Sequence, residues 1–212
     1  MWSMFVDGLS SLLAQLATWL DGSYGLAVIV LALLVRLALL PMTLKTAEQG
    51  WWRQQQLLAL KPKLARLNER HAGDPAAKAK AMQALYREYG VSGGLGSSLL
   101  VALVQAPLGA GIYAAIRQGV AGAGSFLWIP KLARPDVMLA LVVGLLSFAA
   151  LLLNPAMSEQ ARTLLHWLPV VVSFLVVWHL AAGLGLYWAG SSGVNLLQVA
   201  LLRRRVRHRA RR

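Results

Sequence analysis

The chain has 212 residues, 58% of them hydrophobic and 14% charged, with a mean hydropathy of +0.57. So little charge would not cover the surface of a water-soluble globule, where about 25% is usual, yet 21 Lys and Arg against 8 Asp and Glu leave a net charge of +13. These values describe a single-domain membrane protein with basic parts outside the lipid; zero cysteines exclude a disulfide framework, an iron–sulfur site and a Cys-based zinc site.

Residues 1–23 place Trp2, Phe5, Val6, Leu9, Leu12, Leu13, Leu16, Trp19 and Leu20 on one helical face, with Ser3, Asp7, Ser10, Ser11 and Gln15 on the other. This pattern predicts an amphipathic helix in the outer interface, with a short extra span as the alternative. Residues 24–44 carry one charge, Arg36, and form the first span. In residues 45–93, Leu57, Leu60, Leu64 and Leu67 form an apolar stripe, His71–Asp74 a turn, and Asp74-Pro75 a helix start. The second helix runs to about Tyr89, and Pro62 is expected to bend or restart the first. Trp51 and Trp52 suit the level at which a helix leaves the bilayer.

Further uncharged runs occupy 94–116 and 137–158, and residues 163–202 carry no charge except at His166 and His179. The last run is broken by Ala181-Ala182-Gly183-Leu184-Gly185 and is expected to fold as a hairpin of helices over about 167–181 and 185–202. The fold class is therefore an all-α membrane protein of five transmembrane helices, with an N-terminal interfacial helix, a core over 24–202 that includes the cytoplasmic hairpin 45–93, and an Arg-rich tail, 203–212. Basic residues set the orientation. With the N-terminus outside and the C-terminus inside, seventeen Lys and Arg fall on the cytoplasmic side and three outside.

Polar residues within the spans are the candidate functional groups. Arg36 lies roughly 4 Å from the middle of its span at 1.5 Å per residue. No acidic residue occurs in any span. Snorkelling to the cytoplasmic headgroups would leave about 11 Å to cover, so a water-filled cavity suits this arginine better. Gln105 sits mid-span in the second helix, and Tyr187, Ser191, Asn195 and Gln198 form one stripe on the last. Helix–helix hydrogen bonding is the other reading of that stripe. The third span offers Ser147 and reads as scaffold. His166 and His179 lack partner histidines for haem, and no metal site, catalytic motif or nucleotide-binding loop is present, so no cofactor, enzyme chemistry or small-molecule substrate is expected.

The order of short motifs resembles the core of the YidC-type membrane protein insertases of bacteria, mitochondria and chloroplasts. The matching pieces are VRLALLPMTLKT (Val35–Thr46), LKPKLARLNERH, MQALYREYGV, LVQAPLGAGIY (Leu103–Tyr113), FLWIPKL (Phe126–Leu132), LPVVVSF and GLGLYWAGSSGVNLLQ (Gly183–Gln198). The resemblance covers about residues 2–203 and excludes the large extracytoplasmic domain of many Gram-negative members.

It implies five helices around a hydrophilic groove open to the cytoplasm and to lipid and closed outside, in the bacterial inner membrane. Arg36 corresponds to the family's groove arginine and Gln105 to its second-helix glutamine. Nascent membrane proteins would be the clients and lipids the surroundings, with the ribosome and the Sec translocon as further candidate partners. Ala32, Ser92-Gly93, Leu100 and Ser192 depart from the family pattern and make the groove less polar. An assembly factor that binds partner subunits without inserting them is the competing class. For Arg203, Arg204, Arg205, Arg207, Arg209, Arg211 and Arg212, contact with anionic lipid and contact with ribosomal RNA are the two readings.

Overall fold

A computed structural model describes residues 1–91, 95–154 and 168–209. Among them are seven helices and no strand beyond one isolated bridge between Phe126 and Ile129. They are α1 (Trp2–Trp19), α2 (Tyr24–Arg70), α3 (Pro75–Glu88), α4 (Leu95–Gly119), α5 (Val137–Leu153), α6 (Leu168–His179) and α7 (Ala182–Arg209).

α1 buries Val6, Leu13, Leu16 and Ala17 against α4 and α2. The opposite face, with Asp7 and Gln15, stays outside the core. Asp21 and Gly22, at φ 53° and 80°, reverse the chain, and the Ser23 side chain then accepts from the Leu26 N–H at 3.4 Å to start α2. α2 holds the apolar 18-residue window that makes it long enough to cross a membrane, and α5 and Val170–His179 are shorter apolar helices.

Three element boundaries differ from the sequence expectation. α2 runs unbroken for 47 residues through Pro41 and Pro62, so the first span and the first hairpin leg are one helix, not one restarted at Pro62. Each proline removes one backbone donor, a local loss that the flanking turns outweigh. After Pro41 the Thr43 Oγ1 lies 3.1 and 3.2 Å from the Leu39 and Leu40 carbonyls, and the Thr46 hydroxyl donates to the Met42 carbonyl. The last hairpin turns over Leu180 and Ala181 alone. Finally, α7 does not stop at Leu202 but continues to Arg209. Arginine is a good helix former, and Val206 is buried with Leu44 and Leu202, beside Trp51 and Leu201. The last residues of the expected third span, 155–158, and His166 lie outside the described residues.

α3 starts as expected. The Asp74 carboxylate accepts from the Ala76 and Ala77 N–H groups at 2.9 Å each, with Pro75 at the first helical position. α7 packs along α2 and α5, and α6 packs on α5. Gly190 allows the first of these contacts, since a Cβ there would stand 3.1 Å from the Ala32 Cβ.

The main core gathers at one end of the bundle. Leu13, Leu16, Val28, Leu31, Ile116, Val120 and Leu184 meet there, joined by Ile129 and Leu132 from the α4–α5 connection. That connection is stitched down. The Ala182 N–H donates to Arg134 O at 2.8 Å, Gly183 N–H to Leu132 O at 3.0 Å, and Phe126 packs where Gly25 has no side chain. Asp136 accepts from the Leu139 N–H at 2.6 Å, capping α5, and from the Trp128 indole at 3.2 Å. This end of the bundle is therefore filled and tied.

Candidate functional site

Beyond Leu31 on α2 the helices leave an open space beside two smaller apolar clusters, Ala140, Val143 and Val177, and Leu44, Leu202 and Val206. A cavity of about 500 Å³ lies between α2, α5, α6 and α7. Arg36, Ala47 and Gly50 border it on α2, so it extends for about 21 Å along that helix at 1.5 Å per residue. Ala47, Gly50 and Ala150 keep it open because their side chains are small or absent.

α7 supplies most of the polar wall. Trp188, Ser191, Ser192, Asn195, Gln198, Val199 and Leu202 recur at helical spacing on one face. Ser191 and Ser192 are buried at 3% and 8% exposure. The Ser191 Oγ makes no hydrogen bond of ordinary geometry among the described residues, although Tyr187, one turn before it, lies close enough to interact with both Ser191 and Arg36. Gln198 is held in place by the Thr43 hydroxyl, which donates to its Oε1 at 2.9 Å. α5 adds Ser147 and Asn154, two turns apart, and α6 adds Ser173.

Among the described residues that line the cavity none is a carboxylate. Arg36 is half-buried at its inner end and is the only charged side chain among the lining residues. The chemistry on offer is one fixed positive charge amid neutral hydroxyls and amides. Such a surface holds water and can attract a carboxylate or a polar backbone without cleaving anything. The described residues contain no cluster of His, Cys, Asp or Glu able to hold a metal ion.

Comparison with known proteins decides the family. The pattern of the 60Kd inner membrane protein family matches residues 15–209. The chain belongs to that family. Membrane protein insertases YidC of Staphylococcus aureus strains JH9 and Newman are each 27% identical to it over 213 aligned residues, covering 93% of this chain and 73% of theirs. The crystal structure of an active YidC insertase with its first transmembrane domain resolved superposes with a TM-score of 0.60 at 27% identity. That match covers 94% of this chain and 45% of the longer one.

Within this 60Kd family member, Arg36, Ser191, Asn195 and Gln198 come together on one cavity, with Tyr187 beside it. Gln105 does not: it is half-buried on α4, outside the lining residues. Ser147 lines the cavity although its span was expected to be scaffold, Ser192 lines it where it departs from the family pattern, and Asn154 and Ser173 line it without having been singled out from the sequence. The spacing of Ser147 and Asn154, with Ala150 and Leu151 between, was the available signal for α5. The arginines after Leu202 divide. Arg203 donates from Nη2 to the Leu152 carbonyl at 3.3 Å, and Arg205 stands 3.9 Å from the Glu48 carboxylate. Arg204 is exposed, and Arg211 and Arg212 lie outside the described residues.

Proposed function

We infer that the protein is a membrane protein insertase. It receives a hydrophobic segment of a client together with its polar flank and passes the segment into the bilayer. The observation that carries this reading is Arg36 in a polar cavity with no carboxylate among its described lining residues, in a chain whose curated relatives are insertases. An arginine inside a span costs about 2.5–3.5 kcal/mol on insertion scales. A cost of that size, uncompensated by an acidic partner, is sustained where the charge meets water and acts on a polar visitor.

In this proposal five helices cross the bacterial inner membrane: α2 up to the level of Trp51, α4, α5, α6 and α7. α1 lies in the outer interface, and the hairpin and the C-terminus are cytoplasmic. The filled end, with Ile129 and Leu132 over the bundle, faces outward, and the cavity opens inward. A polar client flank then enters a hydrated half-membrane and has only the remaining half to cross. Burial of the client's apolar segment, at about 25 cal/mol per Å², drives its release into lipid without nucleotide hydrolysis. Arg36, Ser191, Asn195 and Gln198 form the groove surface with Tyr187 beside them, and Gln105 approaches from α4 when a client separates the helices. The partners are nascent clients and membrane lipids, with the ribosome and the Sec translocon as candidates for the cytoplasmic side.

The test is reconstitution. Vesicles containing the purified protein and no nucleotide should protect a single-span client from external protease, and empty vesicles should protect far less. Equal protection by both, with the client bound to the protein, would favour the assembly-factor reading.

A further inference from the structure

The two hairpin legs enclose a second cavity of about 520 Å³, separate from the one at Arg36. Arg53 and Leu57 on α2 face Tyr86 and Arg87 on α3 across it, and Gly90 and Val91 close one end. The local chain builds that end. Gly90 has φ 62°, its N–H donates to Arg87 O at 3.2 Å, and the Val91 N–H donates back to Tyr86 O at 2.8 Å. This is the paired 5→2 and 6→1 closure of a helix on a left-handed glycine. It turns Val91 inward to 6% exposure. Val91 and the half-buried Leu57 make an apolar floor, while Arg53 and Arg87 are exposed at the rim and have no ion-pair partner among the described residues.

The position of the cleft in the fold selects the ligand. Arg53 follows directly on Trp51 and Trp52, whose rings meet edge to face at 4.7 Å. Val91 lies four residues before the start of α4. Both legs therefore converge on the cleft where α2 leaves and α4 enters the apolar zone, which is headgroup depth.

We propose that this cleft binds the phosphate headgroup of an anionic phospholipid, its acyl chains descending beside Trp51 and Trp52. The proposal rests on the reading of α2 as a membrane span that ends near those tryptophans. Two unpaired guanidiniums across a gap suit a phosphate, which accepts paired N–H bonds from each. The apolar floor suits the glycerol and the first methylenes. An RNA would call for an extended basic face with several aromatic rings for base stacking; the cleft offers one ring, Tyr86, over an aliphatic floor.

The purified full chain in neutral detergent is titrated with short-chain phosphatidylglycerol, phosphatidylcholine or inorganic phosphate, with bound lipid counted by native mass spectrometry. Phosphatidylglycerol should bind tightest. Arg53→Gln and Arg87→Gln should each weaken it roughly 5-fold, and the double variant about 25-fold. Arg66→Gln with Arg70→Gln, the same charge change near the hairpin tip, should weaken it less than about twofold, beyond the reach of a screened charge. Equal weakening by both double variants would overturn the site in favour of diffuse attraction. So would competition by inorganic phosphate at the lipid's own concentration, or displacement by a short RNA or an acidic client peptide. Client insertion is measured separately: a parent protein that binds the lipid but inserts no client overturns the insertase reading and leaves the lipid site standing.

Discussion

Replacing Arg36 by alanine isolates the one charge among the described residues of the cavity. A volume of about 500 Å³ holds roughly 15 waters at ~30 Å³ each, so the charge acts in a confined but wet space. Two unit charges 4 Å apart attract by about 1 kcal/mol in bulk water and about 4 kcal/mol at an effective dielectric constant near 20. A client carboxylate close to Arg36 falls between these limits, which corresponds to a factor of about 5 to 1,000. Arg36→Ala should therefore slow insertion of a single-span client with an acidic translocated end by at least about fivefold, and affect a client with a neutral polar end much less. Arg36→Lys should fall between, since it keeps the charge and loses the planar fork. The variant should still reach the membrane in normal amount, because removing a charge from a span lowers its own insertion cost. Protease protection of both clients in reconstituted vesicles gives the rates. If Arg36→Ala inserts both as fast as the parent, the electrostatic role of the cavity is wrong.

A cysteine replacing Lys78 on α3 should react with a membrane-impermeant thiol reagent from the cytoplasmic side only; labelling in intact cells would reverse the proposed topology. Gly190→Val should force α2 and α7 apart, because the added Cβ would stand 3.1 Å from that of Ala32. A loss of about 1–3 kcal/mol is expected, read as a lowered melting temperature in detergent, and an unchanged melting temperature would contradict this helix contact. Val206→Ala should destabilise by about 1 kcal/mol through the small cluster with Leu44 and Leu202, whereas Gln at 207, 209, 211 and 212 should leave melting unchanged. If those four glutamines also leave salt-dependent ribosome cosedimentation unchanged, ribosome contact by Arg207, Arg209, Arg211 and Arg212 is excluded.

Residues whose chemistry is repeated at a fixed spacing were legible in the sequence. The α7 stripe at Ser191, Asn195 and Gln198 shows in the 3.6-residue period, and Arg36 shows because arginine is so costly within a span. The start of α3 was legible because Asp74 and Pro75 each act on their own neighbours. Ser147 and Ser173 were not. A lone serine on an apolar helix bonds equally well to a neighbouring helix or to water, and only the arrangement of helices chooses between them. The length of α7 was hidden for another reason. The change from apolar residues to arginines at Arg203 marks a change of surroundings, but the helical hydrogen-bond ladder depends on the backbone and passes through it. At Pro62 the restart offered as one of two outcomes did not occur, since a local defect in the ladder need not be a boundary.

The placement of apolar and polar residues along the bundle explains why a cavity does not become a leak. From Tyr24 to Arg36 is about 18 Å of helix at 1.5 Å per residue, more than half of a hydrocarbon core of about 30 Å. Over that length the neighbours of α2 are Leu13, Leu16, Ile116, Val120 and Leu184, packed without polar groups and roofed by Ile129 and Leu132. Water admitted as far as Arg36 thus meets a plug, and small cations meet a like charge before they meet the plug. A client segment differs from an ion in one respect that decides the outcome: its polar flank is covalently joined to some twenty apolar residues. Each apolar side chain that leaves the cavity for lipid gains about 1.5–3 kcal/mol relative to water. Several such transfers together exceed the cost of drawing a short polar flank across the remaining half, whereas a free ion has nothing attached to offset that cost. In the orientation proposed above, a fixed charge at the inner limit of the water, with a sealed half beyond it, would admit segments that carry their own driving force and reject solutes that do not.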